Sequence, residues 1–250
     1  MTLPEPQPAV RTVAVVGAGR LGRAISRALA ESGFEVHGPT ARGEAVPDAD
    51  VVLLCVPDAE IANAAAALPG TARLVGHTSG ATPIAGVDFG LHPLRAFVGD
   101  EGREAFRGIG CAVAGRTPEA LDAARALAEA LGATPFPIDD ARRAAYHAAA
   151  SIASNFLVTL QAAAEQVAGA AGLAPEDARA LLAPLVRATV ENWAAHGPAA
   201  ALTGPVARGD EGTVERQREG IAEAAPELIP LFDVLVDRTR ALAAQKEDTP

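Results

Sequence analysis

Gly17, Gly19 and Gly22 stand at G-x-G-x-x-G spacing in Gly17-Ala18-Gly19-Arg20-Leu21-Gly22, directly after the β-branched run Thr12-Val13-Ala14-Val15-Val16. Apolar residues at helical spacing (Leu21, Ala24, Ile25, Ala28, Leu29) begin at once. Strand, tight turn and helix is the context in which such glycines bind the pyrophosphate of a dinucleotide. Gly17 permits the turn, Gly19 admits a phosphate where a Cβ would block it, and Gly22 lets the helix pack close to the strand. The free N–H groups of the helix start add a partial positive charge. The alternative is an ordinary glycine turn, and the clean strand before it favours the binding site.

Further along lie other residue types able to do chemistry. About 20 residues past the first glycine an NAD site carries Asp or Glu for the ribose 2′-hydroxyl. This chain has Thr40 and Arg42 there, a hydroxyl and a guanidinium that suit a 2′-phosphate and hence NADP(H). A solvated loop arginine is the plainer reading of Arg42. Val56 and Pro57 end an apolar run, where a cofactor lies outside the strand's carboxyl end. His77 with Ser79, and His92 locked by Pro93, follow two further strands. Each histidine is either a site residue or an internally bonded structural one. Downstream, at about 100° per residue, His147, Ser151, Ser154 and Asn155 share one sector of an otherwise apolar helix. Such a stripe faces a ligand, water or a second copy of the chain. Thr203-Gly204-Pro205 and Arg208-Gly209-Asp210 form a polar loop. Arg208 either clamps a substrate carboxylate or pairs with Asp210, and Arg95 is a second candidate clamp. No His/Cys/Asp/Glu set has metal-ligand spacing, and no nucleophile elbow is present.

The elements that must position these residues alternate to about residue 138. Short strands are expected at Phe34 to Gly38, Ala49 to Val56, Ala72 to Gly76, Val87 to Leu91, Ile109 to Ala114 and Thr134 to Ile138. Helices follow from Ala59 to Leu68, capped by Asp58, and from Pro118 to Leu131. This is an α/β pattern, a Rossmann-type doubly wound, mostly parallel sheet. From Asp139 the pattern is all helix: one helix from Asp139 or Asp140 to about Ala168, and one from Pro175 to His196, bent at Pro184. A loop from Gly197 to Gly212 follows, then helices from Thr213 and from Pro226 to Ala244. The expected domains are therefore 8–138, binding NADP, and 139–246, helical, for substrate and dimerisation.

Composition narrows the function classes. The 250 residues are 49% hydrophobic and 21% charged, ordinary for a globular protein. A net charge of −10 argues against binding nucleic acid or an anionic membrane. Cys55 and Cys111 fall in expected strands and read as small buried hydrophobes in a reducing, cytoplasmic setting. Met1 to Pro6 reads as a short arm without leader character, and no apolar run approaches the roughly 20 residues that span a bilayer.

Several stretches resemble, in order, a known family: Cys55-Val56-Pro57-Asp58, His77-Thr78-Ser79-Gly80, Leu91-His92-Pro93-Leu94 with Phe97, and Tyr146-His147-Ala148-Ala149-Ala150 through Asn155. Ala201-Leu202-Thr203-Gly204-Pro205 with Arg208-Gly209-Asp210 completes the set. The family is the Rossmann-like NADP-binding proteins with a C-terminal helical domain of formerly unknown function, in the 6-phosphogluconate dehydrogenase-like superfamily. The resemblance to ketopantoate reductases implies reduction of a small 2-oxo acid by NADPH, with 2-dehydropantoate in pantothenate biosynthesis as the leading substrate. Alternatives are a pyrroline-5-carboxylate- or prephenate-type oxidoreductase, and a non-catalytic NADPH sensor. Superfamily relatives carry a lysine, and an asparagine one turn on, along the junction helix. Here Ser151 stands at the lysine position and Asn155 at the asparagine position, so that His147 or His92 supplies the proton, the acid lies elsewhere, or the activity has diverged. On this reading Ser151 and Asn155 hold the carbonyl oxygen, Arg208 orients the carboxylate, and a homodimer forms through the helical domain.

Overall fold

The computed structural model describes residues 10–68, 70 and 72–247, so the expected arm Met1 to Pro6 lies outside the described residues. The chain runs β1 (Thr12–Val16), α1 (Arg20–Glu31), β2 (Glu35–Thr40) and β3 (Ala49–Leu54). A 3-10 turn at Asp58–Glu60 leads into α2 (Ile61–Ala66), followed by β4 (Ala72–His77) and β5 (Phe89–Pro93). Then come β6 (Gly110–Gly115), α3 (Pro118–Leu131) and β7 (Thr134–Pro137). The strands form one sheet in the order β2-β1-β3-β4-β5-β6-β7. Every neighbouring pair is parallel except β5 with β6. β1 is flanked by β2 on one side and β3 on the other, so the winding reverses beside it, the place where such sheets bind ligands. The expected Rossmann-type, mostly parallel sheet followed by helices is what forms.

The alternation of side chains along a strand explains the two-sided burial. Val13, Val15, Val51 and Leu53 enter one core with Ala24, Ile25, Ala28 and Leu29 of α1 and Ala120, Ala124 and Leu127 of α3. Ala14, Val52 and Leu54 point the other way, against Ile61, Leu68, Ile84 and Val87. Helix α3 carries its own punctuation: the Thr117 hydroxyl accepts from Ala120 N at 3.1 Å, Pro118 opens the first turn, and Gly132 closes it at φ 93°.

Three expectations about elements are corrected. Asp58 does not cap: Pro57 takes the N-cap place before the 3-10 turn, with no side-chain bond. β5 begins later than expected and includes His92 and Pro93, so this histidine belongs to the strand's last turn of the ladder, paired across to Ala112. The long helix from Asp139 is also not continuous. Asp139 caps a 3-10 turn by accepting from Ala141 N at 3.0 Å, and α4 (Arg143–Ala153) follows. The backbone then breaks at Ser154 (φ −117°, ψ −71°), and α5 (Asn155–Ala170) begins. An Ala/Ser-rich stretch keeps helical periodicity through such a break, so spacing alone could not reveal it.

The chain divides into two compact units at Ser154/Asn155. Helix α4 belongs with the sheet because its first residue, Arg143, is 1% exposed beneath it. The second unit holds α5, α6 (Pro175–Ala201), α7 (Glu211–Ala224) and α8 (Ile229–Glu247). In α6 the backbone leaves helical geometry at Gly197 (φ 77°, ψ 171°), while Pro184, the expected bend, stays within it. Asp210 caps α7, accepting from Thr213 N at 3.1 Å. Among the described residues, no helix is long and apolar enough to cross a membrane.

Candidate functional site

The glycine turn joins β1 to α1 with each glycine in a separate steric role. Gly17 sits at φ 110°, and a Cβ there would overlap the Cys55 carbonyl; a Cβ on Gly22 would overlap the Gly17 carbonyl. Gly19 is the opposite case: its φ of −71° and ψ of −177° suit any residue, and a Cβ on it would meet no atom within 4 Å. Two glycines are thus required by the fold, whereas the protein itself sets no such demand at Gly19. Gly19 is also the N-cap of α1 and offers no side chain to the free N–H groups there, while the first turn carries no acidic residue. Ala18 and Arg20 are exposed and Leu21 is half-buried. Arg23 braces the turn, donating from Nη1 to the Ala18 carbonyl at 2.6 Å. The donors here suit a pyrophosphate.

Thr40 and Arg42 separate in the structure. Thr40 is buried at the end of β2, its hydroxyl turned to the Val15 carbonyl and its own carbonyl accepting from Gly17 N at 2.9 Å. Thr40 supports the turn, and its hydroxyl faces inward to Val15 rather than outward to a 2′-phosphate as expected. Arg42 stands on the following turn with its side chain 84% exposed, 3.4 Å from the Glu60 carboxylate. A pair this exposed holds a guanidinium weakly and leaves it available. Val56 is half-buried and Pro57 exposed, just past the carboxyl end of β3.

The histidines divide likewise. His77 is fully buried; its Nδ1 accepts from Ser79 N at 3.2 Å and its Nε2 lies 3.3 Å from the Pro83 carbonyl, which can only accept. Both ring nitrogens are spent, and the tautomer is Nε2–H. Ser79 is buried as well, its hydroxyl accepting from Ala81 N and Thr82 N at 3.2 and 2.9 Å. The expected cofactor contacts of His77 and Ser79 are therefore corrected: these side chains shape the β4 loop. A strand-end position does not say which way a ring points.

His92 and His147 do come together. Their ring centroids are 6.1 Å apart, and a Cβ on Gly80 would stand 2.8 Å from His147 Cδ2, 2.8 Å from His92 Cε1 and 2.9 Å from His92 Nε2. The β4 loop thus passes between two imidazoles because residue 80 has no side chain. Tyr146, beside His147 on α4, places its hydroxyl 2.7 Å from His92 Nδ1. Tyr146, the chain's only tyrosine, has no expected site role, although it stands in one of the stretches that carry the resemblance. Arg143 anchors α4 from below, donating to Asp140 Oδ1 at 2.6 Å and to the Ser79 carbonyl at 3.1 Å, with Nη2 over Gly90.

Burial, followed by the neighbouring His147 and Arg143, pulls the His92 imidazole down to about 4, and burial pushes the Tyr146 hydroxyl up to about 12. His92 is neutral at pH 7 and a hydrogen-bonding group, not a titrating acid. Burial lowers His77 too. An unfolded histidine takes up a proton below about 6.5. The folded His92 refuses it until about pH 4. Stability is thus expected to fall as pH drops from about 6.5 towards 4, by up to about 3 kcal/mol from His92. Urea unfolding across that window checks this, and His92→Gln should flatten the slope.

Arg95 is exposed and donates from Nη1 to the Ala105 carbonyl at 2.8 Å, so it holds its own loop. Ser151 lies one turn beyond His147 on α4, half-buried, but the break at Ser154 removes Asn155 from that helix. Asn155, Thr203 and Arg208 belong to the second unit. There Arg208 is exposed and forms no ion pair with Asp210, whose carboxylate caps α7. Among the described residues no three His, Cys, Asp or Glu side chains could hold a metal ion.

Against known proteins, the model of a family described as a domain of unknown function (DUF2520) matches residues 109–239. Among solved structures, protein TM1727 from Thermotoga maritima is similar at 27% identity and a TM-score of 0.76, over 94% of this chain and 99% of its own. A Bacteroides fragilis protein described as a candidate NADP oxidoreductase matches at 22% identity and 0.76, over 93% and 98%. A Plasmodium falciparum pyrroline carboxylate reductase with NADP bound matches at 9% and 0.58, over 94% and 98%. The last two likenesses speak to fold alone. No curated protein matches the chain.

Proposed function

The chain belongs to the DUF2520 family, whose description names no activity, and on that premise we propose that it is an NADP(H)-dependent oxidoreductase acting on a small carbonyl compound. One observation carries this reading: two imidazoles meet over Gly80 at the carboxyl end of a sheet whose first turn has the glycine spacing and open helix N-terminus that suit a dinucleotide. The fold shared with oxidoreductases, one of them solved with NADP bound, supports it.

The roles follow from the residues. The N–H groups at the start of α1, reached past bare Gly19, hold a pyrophosphate, and the Arg42 guanidinium binds the 2′-phosphate. When bound, the reduced nicotinamide supplies the hydride. His92, neutral, hydrogen-bonds the substrate carbonyl oxygen and stabilises the alkoxide charge that develops there. His147, half-buried on α4, delivers the proton, with Ser151 as a second donor on the same face of that helix. A 2-oxo acid, with 2-dehydropantoate first, is the proposed substrate class. Ser151, where the resembled superfamily carries lysine, is the one feature that favours a non-catalytic NADPH sensor instead. A homodimer through the second unit is part of the proposal, supported by exposed Phe156, Val158, Leu181, Leu185 and Trp193.

Steady-state oxidation of NADPH with 2-dehydropantoate, 1-pyrroline-5-carboxylate and prephenate-type acids tests the reading. Turnover with 2-dehydropantoate and with neither other class supports the substrate. Tight NADPH binding without turnover on any of them turns the assignment to the sensor. Arg42→Ala is expected to weaken NADPH roughly tenfold, the worth of one charge-assisted contact, and to leave NADH nearly unchanged. Equal losses for both nucleotides would reject the 2′-phosphate role.

A further inference from the structure

The His92–Tyr146 contact joins residues far apart in sequence, on β5 and α4, and it decides what His92 can present to a ligand. At 2.7 Å from His92 Nδ1, the tyrosine hydroxyl either donates to the ring or accepts from it. If it accepted, its own proton would need another acceptor, and among the described residues the Tyr146 hydroxyl has no hydrogen bond except this one. Half-buried and held neutral, the hydroxyl keeps that proton. Donation to Nδ1 is therefore the better satisfied arrangement: among the described residues it leaves one polar group without a partner, Nε2–H, where acceptance would leave two, the tyrosine O–H and the Nε2 lone pair. The ring's single proton then sits on Nε2, the nitrogen beside Gly80, which bonds to no described residue.

We propose that Tyr146 is a positioning residue that holds the His92 proton on Nε2, making this imidazole a hydrogen-bond donor to a substrate oxygen. The inference rests on the oxidoreductase reading for its purpose, not for its geometry. It selects among ligands: an oxygen with lone pairs to give, such as a carbonyl or the alkoxide formed from it, is bound, and a group that can only donate is refused. His147 is separated from this task, since a neutral donor and a proton source are different rings. Tyr146 also packs edge-on against His92, with centroids 5.6 Å apart and planes at 85°, and similarly against Phe136. Removing only its hydroxyl keeps those contacts.

Nitrogen-15 NMR of the full chain labelled in its histidines, of which there are five, reads the tautomer directly. His92→Gln identifies the His92 signals. The wild type is expected to show His92 as the Nε2–H form across neutral pH, and Tyr146→Phe to show a mixture in which Nδ1–H is populated. An Nδ1–H ring in the wild type overturns the proposal, as does a Tyr146→Phe ring that stays wholly Nε2–H. Should that variant not fold, the wild-type spectrum still decides. On a substrate the assays identify, Tyr146→Phe lowers kcat roughly tenfold, the worth of the one hydrogen bond that fixes the imidazole. NADPH affinity is expected to hold. An unchanged kcat refutes the positioning role. Because the spectrum needs no substrate, absent turnover on every carbonyl compound would count against the oxidoreductase reading and leave the tautomer result standing.

Discussion

Gly19→Ala is expected to leave the chain folded at its original melting temperature and to weaken NADPH binding by at least about a hundredfold, a loss of roughly 3 kcal/mol. The two effects separate because the backbone there (φ −71°, ψ −177°) accepts any residue and the added methyl group meets no protein atom within 4 Å. Alanine in a compatible conformation stabilises by about 0.4–1 kcal/mol through the unfolded chain, which offsets its poorer fit at this N-cap position. The methyl instead fills the space through which a phosphate reaches the first N–H groups of α1. Gly22→Ala is the contrast: its Cβ would overlap the Gly17 carbonyl, so folding and binding should fail together. Thermal unfolding and calorimetric titration of both variants read the pair of outcomes. Unchanged NADPH affinity in a folded Gly19→Ala protein would remove the pyrophosphate from this turn.

The second large effect falls on chemistry. His92→Phe keeps a ring of similar shape beside Tyr146 and deletes both ring nitrogens. If His92 holds the carbonyl oxygen, turnover should drop about 10²–10³-fold, the range for losing one preorganised oxyanion donor. NADPH affinity should hold, since the glycine turn and Arg42 are untouched. The Tyr146 hydroxyl loses its acceptor in this variant, which costs stability of about 1–3 kcal/mol, so assays belong well below its melting temperature. A comparable loss in His147→Ala with full activity in His92→Phe would reverse the two roles.

What could be read from the sequence was whatever has a local signature. The glycine turn is one: strand, spacing and helix start lie within a dozen or so residues, and the observed turn is the expected one. The buried strand Ala49–Leu54 is another, legible because residues facing both ways are apolar. Side-chain direction has no such signature. His77 and His92 both sit at strand ends, yet one spends both nitrogens on its own loop and the other faces a second imidazole. The partnership of His92 with Tyr146 depends on where α4 docks, which Arg143 decides by burying its guanidinium under Ser79. Thr40 misled for a related reason: its position in the chain matched a ribose contact, while the β2 ladder turned its hydroxyl inward. The break at Ser154 escaped because one residue of altered backbone leaves the apolar periodicity intact.

The central claim is that the turn at Gly17–Gly22 binds a pyridine nucleotide. Calorimetric titration of the purified full chain with NADPH and with NADH tests it most directly. One saturable site per chain is expected, tighter for NADPH than for NADH and lost in Gly19→Ala. No heat with either nucleotide, confirmed by the absence of any nucleotide-induced rise in melting temperature, would contradict it.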